Sequence, residues 1–149
     1  MTDRDEMLAV LRAYPQIYLA CHVEHRSRAA SPTGLTSRDA GLLAHIDAGG
    51  SSPARLARHL GIAPSSLSAA LARLEALNMV AIAADPKDAR RRLVSLAPAG
   101  EEALVASSVL DPGRLGAIMT AMDAGERAKA VEGLTLLAAA ARQFRERKG

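Results

Sequence analysis

The sequence predicts a mainly α-helical fold with one small β-hairpin, an α+β class in which helices dominate. Apolar residues recur at helical spacing along most of the 149 residues, and the spacing changes to strict alternation only between Val80 and Leu96. Apolar residues make up 49% of the chain, which is enough for one buried core and too little for two independent ones. We therefore expect a single domain over residues 1–149.

The first predicted helix runs from about residue 3 to residue 27. Pro15 lies inside it, and because proline lacks a backbone N–H donor we expect a kink or a break at this point. The composition of residues 27–34 then predicts a linker. One face of this helix carries residues at helical spacing: Leu8, Leu11, Tyr18 and His22.

A second helix is predicted to begin at Thr36, which serves as N-cap with Asp39 as its capping-box partner, and to end at Gly49 and Gly50. The third helix has Ser52 as its cap and Pro53 in the first helical position. A fourth helix is predicted from Pro64 to about residue 77. Its apolar stripe consists of Leu67, Ala70, Leu71, Leu74 and Leu77.

The third and fourth helices are separated by only about three residues, a spacing typical of a helix-turn-helix. Ala57 is small enough for two backbones to approach, Gly61 can adopt the left-handed conformation of a tight turn, and Leu67 can anchor the second helix. An ordinary helical hairpin is the alternative interpretation.

Alternation after Asn78 predicts two strands, with Val80 and Ile82 on the first and Val94 and Leu96 on the second. Residues 85–91 form the predicted connection. A hairpin that follows a helix-turn-helix and carries a basic tip is a winged helix. The basic side chains of this wing are Lys87, Arg90, Arg91 and Arg92.

Guanidinium groups on a thin wing can enter a minor groove that is too narrow for a helix. We expect Asp85 and Asp88 to hold Lys87 and Arg90 in place rather than to weaken their attraction for phosphate. The charge distribution agrees, because residues 36–97 carry eight Lys/Arg against five Asp/Glu, whereas the flanking segments are balanced. The alternative is a hairpin whose edge is merely kept soluble by its charges.

Three further signals predict the C-terminal helices. Pro98 begins a fifth helix, Asp111 with Pro112 begins the next, and Asp123 with Glu126 forms a capping box for a last helix that reaches toward residue 147.

The stretch DPKDARRRLVSLAPAG, residues 85–100, resembles the wing of the MarR family of bacterial transcription regulators. The order of helices, helix-turn-helix, wing and C-terminal helices is also similar to that of the family and covers nearly the whole chain. Ala97 replaces a usual Thr, and Ala63 with Pro64 stands where a Ser or Thr usually caps the recognition helix. The matching wing residues are Asp85, Lys87, Asp88, Arg90, Val94, Leu96 and Gly100.

The resemblance implies a homodimer with a winged helix-turn-helix at residues 36–97 and interlocked dimerisation helices at residues 1–30 and 98–149. Such a dimer would bind a pseudo-palindromic operator in double-stranded DNA, and the family suggests a ligand-responsive repressor. Two apolar stripes that a monomer would expose fit this expectation. They consist of Leu8, Leu11 and Tyr18, and of Val131, Leu134, Ala138, Ala141 and Phe144.

The expected DNA contacts fall into three groups. Ser65, Ser66, Ser68, Ala69 and Arg73 lie on the outward face of the recognition helix; Arg38, Arg55, Arg58 and His59 flank it; Lys87, Arg90, Arg91 and Arg92 belong to the wing. Serine and alanine discriminate bases weakly, so Arg73 is the one strong candidate on the helix, either for a base or for phosphate. We therefore expect duplex shape and the wing to carry much of the specificity.

The resemblance also implies a site for a small aromatic anion, to which Tyr18, His22 and Arg26 at spacing four, with His25 and Arg28 nearby, could contribute. A dimer-interface face is the alternative. Cys21 and His25 share a face but lack a clear fourth ligand, so neither a metal nor a cofactor is expected. Cys21 could instead sense peroxide, as in one branch of the family, although that branch's tyrosines have no clear match.

The sequence offers no glycine-rich phosphate loop or nucleophile motif, so we do not expect an enzyme. A winged helix that binds an acidic protein, and a DNA-binding protein without an effector, stay open as alternatives. The charged N-terminus and the lack of a long apolar run predict a cytoplasmic protein without a membrane association.

Overall fold

The structure is a computed structural model and describes residues 1–23 and 35–148. The described residues form seven helices and one two-stranded sheet, which confirms the predicted class. In chain order these are α1 (Asp3–Cys21), α2 (Ser37–Ala44), α3 (Pro53–Leu60), α4 (Pro64–Ala76), β1 (Val80–Asp85), β2 (Asp88–Leu96), α5 (Pro98–Ser107), α6 (Pro112–Ala121) and α7 (Ala124–Lys148). They belong to two compact units, Met1–Ala30 with Ser108–Val131, and Ser31–Ser107 with Glu132–Gly149.

Helix α1 differs from the prediction in two ways. It continues through Pro15 as one helix, so the expected break is wrong. It also ends at Cys21 rather than near residue 27, because His22 adopts an extended backbone and the Val23 N–H donates to the Val109 carbonyl at 3.0 Å. The rest of the predicted helix, residues 24–27, and the predicted linker at 27–34 lie outside the described residues.

Helix α2 begins as predicted and ends earlier. Asp39 donates its backbone N–H to Thr36 Oγ1 at 3.1 Å, which confirms the cap. The helix ends at Ala44 instead of Gly49. The segment beyond it is held by other bonds, since the Asp47 N–H donates to Ser51 Oγ at 3.0 Å and the Gly50 N–H to the Asp47 carbonyl at 2.9 Å.

The hairpin has the predicted facing pairs, with Val80 opposite Leu96 and Ile82 opposite Val94. Its turn is shorter than predicted. β2 already begins at Asp88, so the arginines at 90 and 91 lie on this strand and not in the connection. Ser51 adds a backbone bridge to Val94, with N–H to carbonyl distances of 2.8 Å in both directions, and this ties the wing to the loop before α3.

The core lies in the unit that contains the helix-turn-helix and the wing. Helices α2, α3, α4 and α5 and both strands contribute side chains to one apolar cluster. The largest of its fully buried side chains are Leu42, Leu43, Leu56, Leu67, Leu74 and Val94. Burial of this kind fixes the orientation of α4 and the base of the wing.

The C-terminal helices begin at the predicted caps. Asp111 Oδ1 accepts the Arg114 N–H at 2.9 Å at the start of α6. Asp123 and Glu126 exchange side-chain and backbone hydrogen bonds of 2.8 and 3.0 Å at the start of α7. Neither α6 nor α7 contains a buried residue.

Candidate nucleic-acid interface

The turn between α3 and α4 has the geometry of a helix-turn-helix. Ser52 Oγ accepts the Arg55 N–H at 3.2 Å and caps α3. At the other end Gly61 adopts the left-handed conformation with φ of 63°, so that α4 can begin at Pro64. Ala57 and Leu67 are both buried in the apolar core.

The outward face of α4 is made of short side chains. Ser65, Ser66, Ser68 and Ala69 are all exposed. Ala63, the residue before the helix, has no side-chain oxygen to cap it. The first backbone N–H groups of a helix have no acceptor within that helix, so this end of α4 can bind an anionic oxygen such as one of a phosphate group.

Arg73 is the exception among the residues predicted for this face, because its guanidinium has a protein partner. Its Nη2 donates to Oδ1 of Asp39 on α2. The Asp39 side chain is 4% exposed, whereas that of Arg73 is 53% exposed. The sequence indicated the arginine but not this partner.

The wing carries three exposed arginines and two carboxylates that organise it. Asp88 accepts hydrogen bonds from the Arg90 side chain, with Nε to Oδ1 at 3.1 Å, and Arg91 Nε lies 3.7 Å from Oδ2. Asp85 Oδ1 accepts the Lys87 backbone N–H at 2.8 Å. This arrangement confirms that the aspartates hold the segment in place, although Asp85 does so through the backbone of Lys87.

The hydrogen bonds from Arg90 lower the pKa of Asp88, and the nearby Arg91 lowers it further. The carboxylate therefore stays ionised in mildly acidic solution. The guanidinium groups remain open to a ligand, because the side chains of Arg90 and Arg91 are 90% and 75% exposed.

The flanking basic residues have different environments. Arg38, Arg55 and Arg58 are exposed, and Arg55 Nη1 lies 4.0 Å from Asp47 Oδ2. His59 is buried, and its Nε2 contacts Oε1 of Glu146 at the end of α7. His59 is therefore part of the packing of the helix-turn-helix rather than a surface contact.

A second ion pair lies beside His59 and was not indicated by the sequence. Arg142 of α7 donates from Nη2 to Asp47 Oδ1 at 3.0 Å. Burial lowers the pKa of His59, and the positive charges of Arg55 and Arg142 lower it further. We call the contacts of His59 and Asp47 with Glu146 and Arg142 the C-terminal clasp.

The predicted effector residues are only partly described. Tyr18 and His22 stack with ring centroids 4.1 Å apart, as their spacing suggests. Arg26, His25 and Arg28 lie outside the described residues. Cys21 is fully buried, and its carbonyl accepts the Asp111 N–H at 2.7 Å.

The described residues, 1–23 and 35–148, contain no group of three or more His, Cys, Asp or Glu residues that could hold a metal ion. No helix among them is long and apolar enough to cross a membrane.

Comparison with known proteins shows what this geometry is similar to. Residues 33–91 match the model of the MarR family. A search of curated proteins finds no match. Among solved structures, the transcriptional regulator BldR from Sulfolobus solfataricus is 24% identical with a TM-score of 0.51, and the alignment covers 93% of this chain and 99% of BldR.

Two further solved structures share the fold. A mutant of MepR from S. aureus, bound to an oligodeoxyribonucleotide, is 18% identical with a TM-score of 0.50 over 78% of this chain and 90% of its own. BpsR from Bordetella bronchiseptica, whose DNA binding is regulated by 6-hydroxynicotinic acid, is 21% identical with a TM-score of 0.50 over 87% and 90%. Residues 33–91, which contain the helix-turn-helix and the start of the wing, thus match the MarR family model, and the chain shares the fold of these solved structures.

Proposed function

We propose that the protein binds double-stranded DNA sequence-specifically as a homodimer and represses transcription from a pseudo-palindromic operator in response to a small aromatic anion. The observation that carries this proposal is the wing, in which Asp88 accepts hydrogen bonds from the highly exposed Arg90.

The DNA contacts follow from this surface. A fixed, exposed guanidinium suits the narrow minor groove of A·T-rich DNA, whose negative potential attracts it. The major groove would receive the short side chains of α4, and phosphates would be contacted by exposed basic residues on the flanking helices and the wing. These basic residues are Arg38, Arg55, Arg58, Lys87, Arg91 and Arg92. The DNA-bound MepR structure supports this assignment for the fold.

The homodimer is supported by apolar side chains that one chain leaves exposed. On α1 these include Leu11 and Tyr14, and on α7 they include Leu134, Leu137 and Phe144. Monomeric proteins rarely expose large contiguous apolar patches, and a second copy of the same helices could cover these side chains with two-fold symmetry.

The effector is supported by the aromatic stack of Tyr18 and His22, to which Arg26 would add a positive charge. A flat anion can stack on such rings while a cation binds its carboxylate or phenolate. The regulation of BpsR by 6-hydroxynicotinic acid supports this class of ligand. Sensing through Cys21 is the weaker candidate, because the buried thiol gives an oxidant no access without movement of α1.

Fluorescence anisotropy with labelled duplexes tests the DNA binding. We expect random genomic duplexes to bind in dilute buffer, with affinity falling steeply as salt rises, and an inverted repeat near the protein's own coding region to bind more tightly. Arg90→Ala should weaken binding several-fold. Arg114→Ala, which removes an exposed arginine of α6, is the matched control and should bind within about twofold of wild type.

Failure of every duplex to bind at low salt would contradict the proposal and favour a winged helix that recognises an acidic protein. Sedimentation of the same preparation tests the homodimer. A monomer at micromolar concentration would contradict the proposed dimerisation. Titration of the bound complex with 6-hydroxynicotinic acid, with Tyr18→Ala as the variant, tests the effector site.

A further inference from the structure

We propose that Arg73 is a positioning residue that ties the recognition helix α4 to α2 through Asp39, and that it does not read a base. This inference rests on the proposed function, because it assigns a role within the DNA-binding surface.

The burial of Asp39 is the first step. Its side chain is 4% exposed, and a carboxylate removed from water to this extent needs a compensating charge and hydrogen bonds. Arg73 Nη2 donates to its Oδ1. Among the residues that the structure describes, Arg73 is the one basic side chain paired with Asp39.

The second step is how the two carboxylate oxygens are used. Oδ2 accepts the Thr36 backbone N–H at 3.4 Å and completes the cap of α2, while Oδ1 accepts from Arg73. One side chain therefore connects the start of α2 with the last turn of α4, which lies 34 residues further along the chain. Both helices also contribute leucines to the same core.

To contact a base, Arg73 would have to give up its ion pair with Asp39. Turning its guanidinium to a base edge would leave the buried carboxylate without a compensating positive charge, a penalty that one base contact does not offset. The remaining outward residues, Ser65, Ser66, Ser68 and Ala69, are short. Discrimination between operators is then left mainly to the wing and to the shape of the duplex.

A double-mutant cycle without DNA tests the tie. Asp39→Asn and Arg73→Ala should each lower the melting temperature by about 5 °C, and the double variant should fall little further. Thr36→Ala removes only the cap hydroxyl, so its effect should add to that of Arg73→Ala. Fully additive losses for Asp39→Asn and Arg73→Ala would overturn the tie.

A second experiment separates positioning from reading. Affinities are measured for a panel of duplexes in which each base pair of the operator is changed in turn, at a temperature where all variants are folded. Arg73→Ala and Asp39→Asn should weaken binding to every duplex by a similar factor. Both should leave unchanged the slope of log affinity against log salt concentration. Asp39→Asn retains the guanidinium, so a shared effect reports the tie between the helices and not a contact of Arg73 with DNA.

The contrary outcomes are specific. If Arg73→Ala abolishes the preference at one base pair and Asp39→Asn does not, the arginine reads that base. If Arg73→Ala lowers the salt slope by about one, the arginine contacts a phosphate. Should wild type bind no duplex at all, the proposed function fails, and the cycle in the absence of DNA still decides whether the tie exists.

Discussion

The winged helix-turn-helix and the terminal helices use their apolar residues in opposite ways. In the first region Leu43, Leu56, Leu74 and Val94 are fully buried within one chain. In the second, α6 and α7 bury no residue and α1 buries only Cys21. Both regions have helical sequences rich in apolar residues, and the difference between them is what the proposed homodimer would explain, since a second chain would cover the exposed side chains of the terminal helices.

The close packing of the first region gives the largest expected effect. A Cβ on Gly100 would lie 1.9 Å from the Met79 carbonyl oxygen, which is backbone and cannot move aside. We expect Gly100→Ala to destabilise the protein by about 3 kcal/mol, measured by urea unfolding. Gly116→Ala on α6 is the control, because its Cβ would meet nothing within 4 Å. It should be neutral or slightly stabilising, and equal losses in both variants would contradict this reading.

The exposed faces of the second region predict the next largest effect. Leu134 is 55% exposed on α7, and a carboxylate placed there would be harmless in a monomer but buried in a dimer. Leu134→Glu should shift sedimentation toward monomer and lower operator affinity by about tenfold or more. Glu132→Ala, an exposed position nearby on the same helix, should leave both unchanged. A Leu134→Glu dimer of normal stability would locate the interface elsewhere.

The same two regions show how far the sequence could predict the structure. Caps were predictable, because Thr36 with Asp39, and Asp123 with Glu126, interact across three residues. The end of α1 and the partner of Arg73 were not, because each depends on a contact with a segment distant in the chain. Arg142 is 95 residues from Asp47, and no local pattern connects them.

The wing was predictable from the sequence only in part. Its aspartates were predictable from spacing, since Asp88 is two residues from Arg90. The length of its turn was not, because the cluster of arginines suggests an open loop while pairing of Ala84 with Arg92 extends the strands. The DNA-contact residues themselves stay predictions until binding is measured.

The C-terminal clasp provides a pH-dependent test of how α7 is attached to the helix-turn-helix. Burial first, and then Arg55, Arg142 and His45, lower the pKa of His59, while Asp47 opposes them. The unfolded chain, with a histidine pKa of about 6.5, therefore binds the proton more readily. The contribution of neutral, buried His59 to stability is therefore complete above about pH 6.5. It is lost as the pH falls toward the lower pKa that His59 has in the folded protein.

Urea midpoints between about pH 8 and pH 5 measure this dependence. His59→Gln should show a smaller loss on acidification than wild type. Glu146→Gln, which removes the carboxylate at Nε2, should show a larger one, because that carboxylate favours the imidazolium. Identical profiles for wild type and His59→Gln would mean that other groups control the acid response.

The smallest effect on folding is expected in the wing, where the change should appear in DNA preference alone. Asp88→Asn should leave the urea midpoint unchanged, since exposed ion pairs contribute little. Without the carboxylate the Arg90 guanidinium is no longer held, and removal of a negative charge strengthens attraction for any duplex. We therefore expect higher affinity and a weaker preference for A·T-rich over G·C-rich flanks. Arg90→Ala should weaken the same preference while lowering affinity, so the two variants separate orientation from charge. A wild-type flank ratio in Asp88→Asn would show that Arg90 needs no fixed orientation to enter the groove.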